Sequence, residues 1–128
     1  MDKKVDIIIV YWSTDFMIKK CINRILRTDY NNYKIYIVDN TNTSKSKLKS
    51  YFNSDKITII KGASVLINNK KRIGYKRGRH HPEGIEIGLQ ETSSDYVALL
   101  HPDAWPIDDL WLKKCFNYLN RDNVNWYH

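Results

Sequence analysis

The segment Ser94-Asp95-Tyr96-Val97-Ala98-Leu99-Leu100-His101-Pro102-Asp103-Ala104-Trp105-Pro106 decides the reading of this chain. Tyr96 to Leu100 is a short, continuous apolar run, the pattern of a strand covered on both faces. Pro102 and Pro106 bracket Asp103 and forbid regular strand pairing beyond Leu100. The chain therefore passes from a buried strand into a tight acidic turn. In open α/β sheets ligands bind just beyond the carboxyl ends of the strands. A carboxylate at such an end is well sited for a metal or a polar ligand.

Working outward, strands and helices alternate. Val5 to Tyr11 is a β-branched run and reads as the first strand. Ser13, Thr14 and Asp15 offer N-cap side chains for a helix over Phe16 to Arg27, whose apolar positions Ile18, Cys21, Ile22, Ile25 and Leu26 recur at helical spacing. Tyr33 to Val38 is a second strand that closes on Asp39-Asn40. A short helix is expected around Lys47 to Phe52, and Ile57 to Ile60 is a third strand. Pro82 opens a helix with Ile85 and Leu89 on its inner face. A last helix runs from about Ile107 to Leu119, with Leu112, Cys115, Phe116 and Leu119 on one side and Asp108 and Asp109 as its N-terminal acids. This order predicts an α/β fold, a mainly parallel sheet with helices on both faces and right-handed crossovers.

The chain has 128 residues, enough for one domain, 1–128, with one core. Four Trp, nine Tyr and three Phe exclude a disordered composition. No apolar run reaches the length of a membrane span, and the short run Val5 to Val10 lacks the cleavage site of a signal peptide. Cys21 and Cys115 are far apart and read as buried free thiols of a cytoplasmic protein, with no second ligand at metal spacing. The net charge of +7 is localised. Lys61, Lys70, Lys71, Arg72, Lys76, Arg77 and Arg79 follow one another with no acid between them. The remaining 14 bases balance the 14 acids, so this segment carries the whole excess. Its partner is a polyanion or simply water: phosphate, diphosphate, nucleic acid and anionic lipid all fit.

Two strands end in carboxylates, Asp39 and Asp103, and a parallel sheet puts both on one rim with Tyr11-Trp12-Ser13. A strand-end carboxylate is often only a turn former. The wider pattern, however, resembles the nucleotide-binding half of family 2 glycosyltransferases with the Rossmann-like GT-A fold. Val5 to Trp12 looks like that family's first strand, and Cys21 to Leu26 like its first helix. Tyr36-Ile37-Val38-Asp39-Asn40-Thr41 is similar to its "VVDNGS" strand end, and Ser94 to Asp103 to its "GDYVLLLNPD" strand and metal turn. The resemblance runs from Val5 to about Trp111.

The resemblance implies roles. Asp39, with Asn40 beside it, contacts a nucleotide base. Tyr11, Trp12 and Ser13 line base and ribose, and Arg79 or Lys76 helps hold a diphosphate. Asp103 holds Mn²⁺ or Mg²⁺ against that diphosphate, with His101 standing where the family's D-x-D turn has its first Asp. Gly78 to Leu89 looks like the family's "HGxALNxGL" helix, with Glu86 in place of the Asn. The implied activity is sugar transfer from a nucleoside-diphosphate sugar to a glycan or lipid-linked acceptor. The alternatives are a nucleotide-sugar-binding module without catalysis and a basic nucleic-acid binder. The family's usual domain continues past the metal turn, and that continuation carries the acceptor site and, in inverting members, the base. The resemblance therefore assigns no catalytic base here, and a partner chain or dimer is one expected source of the acceptor side. The expected location is cytoplasmic, with the basic segment also suited to a peripheral place at a membrane.

Overall fold

The computed structural model describes residues 3–11, 15–40, 46–62, 80–103 and 105–119, with the backbone alone for residues 46–47 and 80–83. The elements are β1 (Val5–Tyr11), α1 (Asp15–Leu26), β2 (Tyr33–Asp39), α2 (Ser46–Tyr51), β3 (Ile57–Lys61), α3 (His80–Glu91), β4 (Tyr96–Leu100) and α4 (Trp111–Leu119). The four strands form one parallel sheet in the order β3-β2-β1-β4. The expected α/β fold with a parallel sheet is thus the observed one. The chain steps from β1 outward to β3, then crosses to the far side of β1. That reversal between β1 and β4 is the topological switch point, where open α/β sheets bind ligands.

Every residue of β1 is buried, as its apolar run, broken only by Asp6, requires of a central strand. Its alternate side chains serve two layers. Val5, Ile7, Ile9 and Tyr11 face α1, α2 and α4, meeting Ile18, Cys21, Ile22, Ile25, Leu48 and Leu112. Ile8 and Val10 face α3 on the other side, with Val38, Ile85 and Ile87. The four buried positions of α1 fall at i, i+3, i+4 and i+7, the stripe that a helix lays on a sheet. A helix of 12 residues is marginal alone, so burial of that stripe, about 1.5–3 kcal/mol for each large side chain, holds it in place.

The layer formed by α3 rests on two glycines. A Cβ at Gly84 would come within 2.7 Å of Val10, and one at Gly88 within 2.7 Å of Ile8. The helix therefore lies closer to β1 than any side chain would permit. At about 100° per residue, Ile85 and Ile87 sit about 80° to either side of that contact line, and Leu89 about 120° away. This geometry corrects the expected inner face: Leu89 is exposed, and Ile87 takes the packing role. The helix also begins at His80, before Pro82, which its first turn tolerates.

Three further expectations change. Among the described residues β4 ends the sheet and α3 lies over β1 and β2, so Leu99 is 51% exposed and β4 is not covered on both faces. The final helix starts at Trp111, after a turn in which Asp108 accepts hydrogen bonds from the backbone NH of Leu110 (2.8 Å) and from Lys114. Cys115 is exposed, because α4 meets the core through Leu112 and through Phe116, which stacks on Tyr30 and meets Tyr96 edge-on.

Asp6 is the polar breach in β1, fully buried. Its Oδ2 accepts the backbone NH groups of Ser93 and Ser94, both at 3.1 Å, and Lys4 lies 3.6 Å from its Oδ1. The carboxylate thus ties the start of β1 to the turn that launches β4. Asp6→Ala strips both amides of a charged acceptor and should lower stability by roughly 2–4 kcal/mol in urea denaturation. Lys4→Ala, which removes only a half-exposed partner, should cost about 1 kcal/mol or less.

Candidate functional site

The register brings three strand ends into one row. Tyr11 pairs with Asp39, and Asp39 with Lys61. On the other side of β1 the ladder stops at Leu100 beside Ile9, and the chain turns through His101, Pro102 and Asp103. Asp39 and Asp103 therefore occupy the same carboxyl rim on opposite sides of β1, flanking the switch point.

Asp39 and Asn40 are 2% and 0% exposed. Asn40 donates its backbone NH to the Tyr11 carbonyl (2.9 Å), and Gly62 donates to the Asp39 carbonyl (2.9 Å). The side chain of Asn40 lies between Gly62 and Gly84: a Cβ at Gly62 would fall 2.1 Å from its Oδ1, and one at Gly84 3.2 Å from its Nδ2. Asn40 thus joins the ends of β1, β2 and β3 to the start of α3. Sequence reasoning assigned it to the nucleotide, and the geometry gives it this structural work. The missed signal is Gly62, directly after the β3 end.

Tyr11 is also buried, with its ring in the core beside α1. Its hydroxyl donates to Asp15, and Tyr51 donates to the other oxygen of the same carboxylate at 2.6 Å. Lys19 sits 3.9 Å from the centre of the Tyr51 ring. Burial, then the bond to Asp15 and the charges of Asp15 and Asp39, push the Tyr11 hydroxyl far above the ordinary tyrosine range. It is a neutral donor that braces the start of α1. Sequence reasoning read Asp15 only as a helix cap; its two tyrosine partners come from β1 and α2, too far apart in sequence for spacing to reveal.

On the β4 side, His101 Nδ1 lies 2.5 Å from Asp103 Oδ1, and both side chains are 56% exposed. The His101 carbonyl points back to the Cys21 thiol at 4.0 Å. Burial, with the Asp103 charge adding to it, pushes that thiol up to about 12, so Cys21 is an inert packing group. The following segment is clamped along α1. Arg24 donates to the carbonyls of Pro106 (3.0 Å) and Ile107 (2.6 Å), Thr28 donates to the carbonyl of Asp109 (3.0 Å), and Lys20 lies 5.3 Å from the Trp105 ring centre. Lys20 and Arg24 are one helical turn apart, a spacing that sequence reasoning left unused. Among the described residues no group of three or more His, Cys, Asp and Glu side chains converges to hold a metal. The His101–Asp103 pair nevertheless suits a divalent ion whose remaining ligands are phosphate oxygens and water. Trp12, Ser13 and six of the seven clustered cations, Arg79 among them, lie outside the described residues.

The sequence profile of glycosyl transferase family 2 matches residues 6–127. The chain belongs to that family. Solved structures agree on the fold. A mannosyltransferase, PcManGT from Pyrobaculum calidifontis in complex with GDP-Man and Mn²⁺, is 15% identical with a TM-score of 0.72, over 97% of this chain and 34% of its own. S. aureus TarS 1-349 is 16% identical with a TM-score of 0.66, over 91% of this chain and 32% of its own. The same protein in complex with UDP-GlcNAc gives 14% and 0.65, over 91% and 31%. This chain spans about a third of the length of those structures. No curated protein matches it. The four-stranded sheet is thus the GT-A sheet expected from the sequence. No helix among the described residues is long and apolar enough to cross a membrane.

The Asn40 joint has a measurable consequence. Gly62→Ala drives a methyl group into Asn40 and the Asp39 carbonyl, neither of which can retreat. It should cost about 1–3 kcal/mol in thermal or urea denaturation. A substitution at Glu86, which faces solvent on α3, should change little.

Proposed function

We propose that this glycosyl transferase family 2 chain binds a nucleoside-diphosphate sugar across its switch point and donates the sugar to an acceptor. The observation that carries the reading is the pair of carboxylates, Asp39 and Asp103, on one rim to either side of β1. Asp39 accepts hydrogen bonds from the base, in a buried position where a charged acceptor discriminates strongly. Tyr11, Trp12, Ser13 and Asn40 surround base and ribose, with Tyr11 and Asn40 acting mainly by fixing the rim. Arg79, within the basic segment, meets the diphosphate.

Asp103 and His101 would hold Mn²⁺ or Mg²⁺ at the diphosphate. A bound ion there neutralises charge on the departing nucleoside diphosphate. The Mn²⁺ and GDP-Man of the mannosyltransferase and the UDP-GlcNAc of TarS support this assignment of ligand class. Binding without transfer is the second reading. It is favoured by Asp15, a further carboxylate beside the rim, which is already engaged by two tyrosine hydroxyls. The acceptor, whether a glycan or a lipid-linked molecule, and a second chain completing its side both belong to the proposal.

Calorimetry with UDP and GDP tests the base contact. Asp39→Ala, checked to be folded, should bind the preferred nucleotide more weakly by roughly 1.5–3 kcal/mol. Unchanged affinity removes Asp39 from the site. Asp103→Asn tests the other end. It keeps the shape and loses the charge that a hard cation needs, so Mn²⁺ should no longer enhance nucleotide binding while metal-free affinity stays the same. Release of sugar from UDP-GlcNAc or GDP-Man, to an acceptor or to water, separates the enzyme from the binding module.

A further inference from the structure

Two apolar side chains on the α1 side of the sheet stand out in water with no packing to account for them. Phe16 is 75% exposed and Ile107 is 84% exposed. We propose that this face is a docking surface for a bilayer carrying anionic lipid, with Phe16 and Ile107 entering the headgroup region and Lys19 and Lys20 meeting lipid phosphates. The proposal goes beyond the nucleotide-sugar reading and does not depend on it.

The face is built by α1 and the segment clamped along it. Phe16, Lys20, Asn23 and Arg27 follow at i, i+4, i+7 and i+11, opposite the buried stripe of Ile18, Cys21, Ile22 and Ile25. Such an outward stripe is ordinarily polar, and here it opens with a phenylalanine. Lys20 Nζ lies 5.9 Å from the Phe16 ring centre and 5.3 Å from that of Trp105, so one ammonium group joins the helix to the neighbouring segment. One turn on, Arg24 holds the carbonyls of Pro106 and Ile107, so Ile107 is presented by an anchored backbone. Residues 16 and 24 are about 12 Å apart along the helix, which puts the two exposed apolar side chains in one patch. Either of them alone would be ordinary on a folded surface.

Charge selects the partner. Residues 15–27 carry four cations, Lys19, Lys20, Arg24 and Arg27, and one acid, Asp15, whose oxygens are engaged by Tyr11 and Tyr51. Asp109 lies 3.9 Å from both Arg24 and Arg27 and answers that end of the helix. Among the described residues neither Lys19 nor Lys20 pairs with a carboxylate; both lie against aromatic rings instead. Two such cations beside Phe, Trp and Ile side chains make an interfacial surface, with apolar groups for the headgroup boundary and ammonium groups for the phosphates. A nucleic acid would meet the cations and leave Ile107 without a partner. A folded protein would need pockets shaped to these projecting side chains, whereas fluid lipid gives way to them. Docking by this face would bring the His101–Asp103 turn, which leads into the same segment, close to the bilayer surface.

The test is co-sedimentation with vesicles of phosphatidylcholine alone and of phosphatidylcholine with roughly one-third phosphatidylglycerol. The protein should bind the anionic vesicles and not the neutral ones. Phe16→Ser combined with Ile107→Ser changes no charge and should weaken that binding about tenfold or more. Lys19→Gln combined with Lys20→Gln should weaken it by a similar factor. Thermal unfolding checks that both variants fold, as the exposure of all four residues leads one to expect. An environment-sensitive fluorophore on Ile107→Cys, placed in a Cys115→Ser background to remove the exposed thiol, should shift to the blue on anionic vesicles. The inference fails if the unaltered protein ignores anionic vesicles. It fails equally if the Phe16→Ser, Ile107→Ser variant binds as well as the unaltered protein and binding is lost only with Lys70→Gln, Lys71→Gln and Arg72→Gln, since the basic segment alone would then meet the lipid. A concentration-dependent dimer in light scattering that Phe16→Ser abolishes, with no vesicle binding, would assign the face to a second copy and overturn the inference as well.

Discussion

The rim of this sheet depends on a single buried amide. Asn40 has no exposed surface, yet it touches the ends of three strands and the first turns of a helix. A buried polar side chain is tolerated only when its hydrogen-bonding groups are met, and once met it admits few alternative arrangements. Gly62 and Gly84 provide the space that makes this possible. With Asn40 fixed, Asp39 must end β2 at the rim, level with Tyr11 and Lys61. The position of the carboxylate assigned to the base is therefore set by packing beneath it, on the opposite side of the sheet from α1.

Much of the fold was legible because the sheet obeys simple patterns. β1 and β2 are central and their apolar runs are broken only by Asp6 and Lys34 near their starts, so their extents read correctly to within a residue. The i, i+3, i+4, i+7 stripe of α1 likewise leaves little room for another reading. The failures lie where tertiary geometry outweighs local pattern. Leu89 looked like an inward residue because large apolar side chains usually mark the buried face. In α3 the buried line is made by two glycines, and apolarity alone does not reveal it. β4 looked doubly covered because an apolar run carries no information about whether a strand is central or at an edge.

The site shows the same division. Asp39 and Asp103 could be placed on one rim from the parallel order of strands, since that follows from topology alone. The work of Asn40, Asp15 and Arg24 could not. Each acts on groups from distant parts of the chain: Asn40 on β1, β3 and α3, Asp15 on Tyr51, and Arg24 on backbone carbonyls more than eighty residues away. Backbone carbonyls in particular leave no trace in the sequence, so a positively charged face on α1 reads as solvated.

The two sides of the switch point differ in how firmly they are built. Asp39 sits in a buried joint whose atoms are constrained from every side, which suits selection among bases by shape and hydrogen bonding. His101 and Asp103 stand half in water just past the end of β4, at a turn braced chiefly through its backbone. The diphosphate and counter-ion proposed for this turn would benefit from that arrangement. The charges would stay solvated until such a ligand arrived, avoiding the cost of burying a carboxylate, while the anchored backbone limits where the side chains can go. Among the described residues the difference follows the topology: β2 and then β3 flank β1 on the Asp39 side, whereas β4 ends the sheet on the Asp103 side.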